Sequence, residues 1–485
     1  MTANQLPADG LRAIEHIVVL MLENRSFDHM LGFLYADNGN KSPSGDPFDG
    51  LTGQESNPDP QGNPVAVSAA TSASANLYYL PGADPGEGFA ATNSQLYGTA
   101  PPAGEATNTG FVTNYASTLD WETQGPSWSV LPGTTASEIM TMHTPATLPV
   151  LSGLARGFAV CDHWFSSVPT ETMPNRAFAC AATSQGHMDD ETKTFTCASI
   201  FGLLTKSGTS WAIYGYDAPP LTRHNFPDIT NAPEKNFGLF ADFQQAAAAG
   251  SLPAFTFLEP SWDATGNSQH PNYDVALGEQ LIFDVYTALR QGPGWPQTLL
   301  VVCYDEHGGC YDHVPPPGGA TPPDNSAGEY GFDFTRFGVR VPVVLVSPLI
   351  APGTVFRAPP GTTPLDHTSV LKTVELRWDL PPLTARDAAA PGIGSVLSLA
   401  TPRTDDPLAG VVVPVSNQPS PSADLPSHLQ QIQAQLVARL PVGGHQEALP
   451  RMRTNAEYKA YILERTAAWQ AERYYRDRSG AARKV

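Results

Sequence analysis

Six short runs of apolar residues constrain this chain most: 17–22, 158–161, 211–214, 254–258, 299–303 and 341–346, rich in Val, Ile and Phe and without polar alternation. A strand that is apolar at every position must be covered on both faces, which is the situation of a parallel sheet between helices. Helical patterns fall between the runs, at 145–156, 174–183, 237–249, 275–290 and 368–378. The alternation predicts an α/β fold with a mostly parallel central sheet flanked by helices.

The remainder of the chain is organised around that unit. Residues 41–135 are rich in Gly, Pro, Asn and Ser with scattered aromatics, and read as a loop-rich insertion packed over the sheet's edge. We expect one α/β unit over 1–400, with 401–485 forming a Pro/Ser-rich linker that ends near Pro426, then helices packed on the main body. Leu425, Leu429, Ile432, Leu436 and Leu440 recur at helical spacing, and Thr454 with Glu457 makes a capping box ahead of Tyr458, Tyr461, Ile462 and Trp469. The sequence carries no internal repeat.

With 41% hydrophobic and 15% charged residues the chain is globular, and its net charge of −20 repels nucleic acid and anionic membrane surfaces. An anionic ligand would therefore need a local positive centre. No window is apolar enough for a membrane span. The apolar run near the N-terminus lacks the basic region and small-residue cleavage site of a signal peptide, so it reads as a buried first strand. That places the chain in the cytoplasm unless it leaves by another route or has lost a leader. Cys161, Cys180, Cys197, Cys303 and Cys310 show no CxxC spacing and read as buried thiols, with a Cys180–Cys197 bridge as the alternative.

Three segments carry chemistry. The first strand runs directly into Glu23, Asn24, Arg25, Ser26, Phe27, Asp28 and His29, so Glu23 and Asn24 fall at a strand's carboxyl end, where open α/β sheets bind ligands. Taken alone, Ser26 or Asp28 could simply cap a following helix. A second strand ends in Asp305 and Glu306, followed by His307, two glycines, Asp312 and His313. Adjacent buried carboxylates repel, and a divalent cation removes that repulsion. In the third segment Pro174 fits the first turn of a helix and puts Thr172 just before it, where free N–H groups and the helix dipole suit a phosphate. Thr172 is then either a nucleophile or only a cap. His270 and the Asp366–His367 pair could be structural, or could serve leaving-group protonation, phosphate contact or a second metal.

The blocks ENRSFDH at 23–29, TMPNR at 172–176, His270–Pro271, DEHGGCYDHV at 305–314 and DHTS at 366–369 occur in an order that resembles one family. It is the bacterial phosphoesterase family that contains non-haemolytic phospholipases C and respiratory-burst-inhibiting acid phosphatases, a branch of the alkaline-phosphatase-like superfamily. The likeness covers about residues 14–379 and also includes 148–162 and 340–348. It implies that Glu23, Asn24, Asp305 and Glu306 bind a divalent ion, and that Thr172 both touches that ion and attacks phosphorus. The family's acid phosphatases carry Ser at that position. It further implies a substrate-site role for His270, with His367 in contact with phosphate or metal, and substrate contacts from Asn175, Arg176 and His313. Carboxylates and one amide suit Ca²⁺, Mg²⁺ or Mn²⁺, and Zn²⁺ stays open.

One departure stands out. Many relatives read Asp-Pro-Gly-His where this chain has Asp84, Pro85, Gly86 and Glu87, so an acid replaces a phosphate-binding cation in the substrate pocket. The resemblance implies a metal-dependent hydrolase of the phospholipase C type working through a phosphothreonine. The alternatives are an acid phosphatase of broad monoester specificity and an inactive protein that binds phosphorylated head groups. Its ligand would be a phosphorylated small molecule or a phospholipid head group, and relatives are often secreted.

Overall fold

A computed structural model describes residues 8–98, 104–124, 130–416, 418 and 424–482. Parts of three sequence readings lie outside those residues: the N-terminal segment 1–7, stretches 99–103 and 125–129 of the insertion, and 417 and 419–423 of the Pro/Ser-rich linker.

Eight strands make the central sheet: β1 His16–Leu22, β2 Ala159–Val160, β3 Trp211–Gly215, β4 Phe237–Leu239, β5 Phe255–Glu259, β6 Thr298–Tyr304, β7 Val343–Val346 and β8 Thr354–Val355. Their order across the sheet is β8-β2-β7-β6-β1-β5-β3-β4. β6, β1, β5, β3 and β4 are all parallel, each to its neighbour. All seven residues of β6 and six of the seven in β1 are buried, as their uninterrupted apolar character requires. Each fully buried Val, Leu or Ile contributes about 1.5–3 kcal/mol relative to leaving it in water.

Two readings are corrected here. The run at 341–346 is buried but not parallel: β7 pairs antiparallel with β6 on one side and β2 on the other. Its lack of alternation reflects cover on both faces, not strand direction. The helix read over 237–249 is a short edge strand, β4, followed by a helix at Phe240–Ala249, because Phe237–Leu239 pairs with β3 before the chain turns.

Of the flanking helices, those that matter for the site are α1 Phe27–Leu31, α2 Phe89–Tyr97, α3 Pro149–Gly157, α4 Thr172–Ala181, α5 Val275–Gln291, α6 Thr368–Trp378, α7 His428–Ala438 and α8 Asn455–Ala482. The predicted capping box forms: Thr454 Oγ1 accepts from Glu457 N at 3.3 Å, and Glu457 Oε2 accepts from Thr454 N at 3.1 Å. α7 is fastened to the body by Ser427 Oγ donating to the Trp262 carbonyl and Gln433 Nε2 donating to the Pro219 carbonyl at 2.6 Å. All five cysteines are free, so Cys180 and Cys197 are not bridged. Among the described residues no helix is long and apolar enough to cross a membrane.

Candidate active site

The sheet's register brings the two acidic segments together. Leu22 at the end of β1 lies opposite Tyr304 at the end of β6, so the next residues, Glu23 and Asp305, leave the sheet side by side. Asn24 then takes a left-handed backbone, φ 57°, which Asn tolerates better than most side chains and which marks a functional turn. Its N–H donates to Asp305 Oδ1 at 2.9 Å. Gly308 explains the paired glycines: its φ is +59°, and a Cβ there would lie 2.1 Å from the Asn24 carbonyl oxygen.

Thr172 comes from a separate element, a helix start. It is the first residue of α4, with Glu171 as N-cap, one turn position further in than the sequence suggests. Its Oγ1 donates to Asn24 Oδ1 at 3.1 Å, and its residue is 2% exposed. Asn175 sets this approach by bracing the preceding loop. Its Oδ1 accepts from Val168 N at 3.1 Å, while its Nδ2 donates to the carbonyls of Val168, Thr170 and Glu171 at 3.1, 2.9 and 3.1 Å. Of the first-turn donors expected to meet a phosphate, Met173 N–H is held by Asp190 Oδ1 at 2.6 Å and Pro174 has none, which leaves Thr172's own N–H.

Thr172, Glu23, Glu87 and His270 line a cavity of about 80 Å³ that continues into a vestibule of about 660 Å³ beside Asp84, Tyr273 and Glu171. His270 is carried by a loop that Arg25 ties to the first segment, donating to the Gln269 carbonyl at 2.6 Å and the His270 carbonyl at 3.1 Å.

Comparison with known proteins gives this arrangement its context. The model of the Phosphoesterase family matches residues 14–381. The chain belongs to the Phosphoesterase family. Non-specific phospholipase C3 of Arabidopsis thaliana is 36% identical over 423 residues, covering 81% of this chain and 75% of that protein. Non-specific phospholipase C6 of the same plant is 36% identical over 446 residues, 87% of this chain and 79% of its own length. Phospholipase C B of Mycobacterium tuberculosis is 29% identical over 454 residues, 82% and 80%. Among solved structures, the PsFucS1 sulfatase from Pseudoalteromonas sp. aligns at a TM-score of 0.30 and 15% identity over 53% of this chain and 68% of its own. The protein is a phosphoric ester hydrolase.

The electrostatics of this phosphoesterase site fit a divalent cation. Glu23 is pushed up to about 7, chiefly by burial, and Glu87 and Glu306 are pushed well above the carboxylate range by burial and by neighbouring acids. Glu306 Oε1 is buried without a hydrogen-bond partner. These raised acids and the unpartnered Glu306 oxygen are compatible with a divalent cation at the site. The tightest group here, however, is Asp84, Glu87 and His270, whose ligand atoms lie within 4.8 Å of one another, and among the described residues Glu23, Asp305 and Glu306 do not close to that spacing. Glu87 accepts from Asn24 Nδ2, which ties the departing acid directly to the site.

Several residues read as substrate contacts are engaged elsewhere. Arg176 lies against Asp305 Oδ2 at 2.9 Å and donates to the carbonyls of Leu22 and Met21 at 3.0 and 3.3 Å, so it braces the strand end instead of facing the cavity. Asn175 is spent on the loop described above. His313 belongs to a separate cluster with Asp28, 2.6 Å away. His367 Nε2 bonds the Asp305 carbonyl at 2.6 Å and orients the turn that presents Asp305 and Glu306. Sequence reading missed Asp190, which caps α4, and His428, which reaches the cavity from α7. Asp190 follows the TMPNR block closely enough to have been sought as a cap, whereas nothing near His428 in the chain points to the site.

Proposed function

We propose that this phosphoesterase is a metal-dependent phosphodiesterase of the phospholipase C type with Thr172 as its covalent nucleophile. The observation that carries the reading is the Thr172 hydroxyl, buried at a helix start, bonded to Asn24 Oδ1 and facing an acid-lined cavity at two strand ends. The names of the relatives support the diester class.

Asn24 Oδ1 holds the Thr172 proton, which leaves an oxygen lone pair free for attack. Thr172 Oγ1 gives up its proton to solvent as it forms the Oγ1–P bond, and the bond from phosphorus to the leaving alcohol breaks, that alcohol's oxygen taking a proton from His270. Water then attacks the phosphothreonine, His270 takes the water's proton, the Oγ1–P bond breaks, and Oγ1 takes a proton back from solvent. A divalent ion held by Glu23, Asn24, Thr172, Asp305 and Glu306 would supply charge stabilisation for the phosphoryl oxygens and lower the hydroxyl's pKa. Arg176, Asn175 and His367 act behind this set by holding Asp305 and the α4 start in place.

The test compares hydrolysis of p-nitrophenyl phosphorylcholine and p-nitrophenyl phosphate by wild type and Thr172→Ala. Loss of diester turnover on the order of 10⁴-fold or more in the variant is expected. A clear monoester preference would make the protein an acid phosphatase. Tight binding of phosphorylated head groups with no turnover, unchanged by Thr172→Ala, would make it a silent binder.

A further inference from the structure

The cavity above Thr172 has a wall that comes from far down the chain. Ser427, His428 and Leu429, at the start of α7, line it beside Thr172, Glu23 and His270. α7 is held in this position at both ends: Ser427 caps it and bonds the Trp262 carbonyl, and Gln435 Oε1 accepts from Thr192 Oγ1 at 2.5 Å. The backbone that carries His428 therefore stands at a fixed place. The His428 ring is hydrogen-bonded to the backbone of Asp190, whose side chain in turn caps the Thr172 helix.

Four acids, Glu23, Asp84, Glu87 and Asp190, line that cavity, and Glu171 stands at the vestibule. A phosphoryl group entering such a site needs hydrogen-bond donors as well as a metal. The only imidazoles lining it among the described residues are those of His270 and His428.

We propose that His428 is a substrate-contacting residue: α7 presents its imidazole to the phosphoryl group that Thr172 attacks, so that the site is assembled from segments far apart in the chain. This rests on the phosphoryl-transfer reading of Thr172. Burial pushes the free ring's pKa down, while Glu171 and Asp84 pull it up. A phosphoryl anion adds a negative neighbour to Glu171 and Asp84, and the occupied site holds the ring as imidazolium. One N–H then donates to the Asp190 carbonyl and the other to a phosphoryl oxygen, a charge-assisted bond. The proton comes from solvent, and no covalent bond to His428 forms.

The experiment uses the full-length protein as wild type, His428→Ala, His428→Gln, Thr172→Ala and Arg439→Ala. Arg439 ends the same helix and reaches the Thr192 carbonyl at 3.5 Å, so it reports on docking of α7 alone. Three quantities are read: kcat and KM for p-nitrophenyl phosphorylcholine, the Kd of inorganic phosphate by calorimetry, and the melting midpoint. His428→Ala should raise both KM and the phosphate Kd by about tenfold or more, the scale of one hydrogen bond to a charged group. His428→Gln should recover part of each, and Arg439→Ala should change neither. The proposal is overturned if His428→Ala leaves both constants unchanged, or if its losses are matched by Arg439→Ala or accompanied by an equal loss of folded protein. If Thr172→Ala keeps full turnover, the nucleophile reading fails separately, and the phosphate Kd still decides the role of His428.

Discussion

Two acid–histidine clusters of this phosphoesterase look alike in composition and differ in what answers their charge. Asp28, Asp312 and His313 form one, Asp84, Glu87 and His270 the other, each with ligand atoms within 4.8 Å. In the first, Arg340 is shared between both acids, with Nε on Asp312 Oδ1 and NH2 on Asp28 Oδ1, each at 2.9 Å. The backbone N–H groups of Asp28 and Val314 complete the shell of Asp312 at 3.1 and 2.9 Å. In the second, no arginine pairs directly with the acids: burial raises Asp84 although Arg25 pulls it down, and Glu87 and Glu306 are pushed further up by neighbouring acids. Acids gathered in space are therefore not yet a metal site. A cluster with a guanidinium built in is part of the framework, whereas the acids beside Thr172 are held above the carboxylate range without one.

The largest effect that sharpens this contrast is expected from chelation. Removing divalent ions should lower diester turnover by about 10³-fold or more, with recovery on adding them back. Stability should respond as well. Asp190 is raised from 3.8 to about 7 by burial, so between those values the folded chain holds a proton that the unfolded chain releases. Its stabilising contribution is present below 3.8 and is lost as pH rises through 7. The chelated protein should therefore melt progressively lower from pH 4 to 7. Full activity after exhaustive chelation would remove the distinction between the clusters.

Arg340→Met tests the compensated side. The substitution keeps most of the volume but strands Asp28 and Asp312, both fully buried, without their shared cation. Breaking such a pair costs about 3–5 kcal/mol, which a denaturant titration would read directly. Turnover per folded molecule should stay at the wild-type level, because the cluster does not line the Thr172 cavity. A variant as stable as wild type would show that the arginine is not what neutralises the acids.

The same contrast explains what was legible in the sequence. Buried strands announce themselves, since a run such as Leu299–Cys303 has no alternative to cover on both faces, and Glu23 and Asp305 follow two such runs. Strand direction does not announce itself: β7 is as apolar as its parallel neighbours. Nor do partners. Arg176 and His313 have the right chemistry for a phosphate, and only coordinates show that Asp305 engages the first and Asp28 the second. His428 was invisible for a related reason, because its proximity to Thr172 depends on how α7 docks and not on any local pattern.

His313→Gln is the smallest and most discriminating change. Burial pulls the His313 pKa down, but hydrogen bonds to Asp28 and Asp49 outweigh it and raise the group from 6.5 to about 10. The folded chain thus keeps a proton at pH 8 that the unfolded chain has released, so this stabilisation is complete below 6.5 and disappears as pH rises through about 10. With the side chain 20% exposed, the substitution should cost about 1–2 kcal/mol near neutral pH. Its cost should shrink towards pH 10, where the wild-type ring has lost the same proton. Denaturant curves for the two proteins should accordingly converge between pH 7 and 10. If they run parallel across that range, the imidazolium is not part of the compensation, and Arg340 alone answers the acids of the framework cluster.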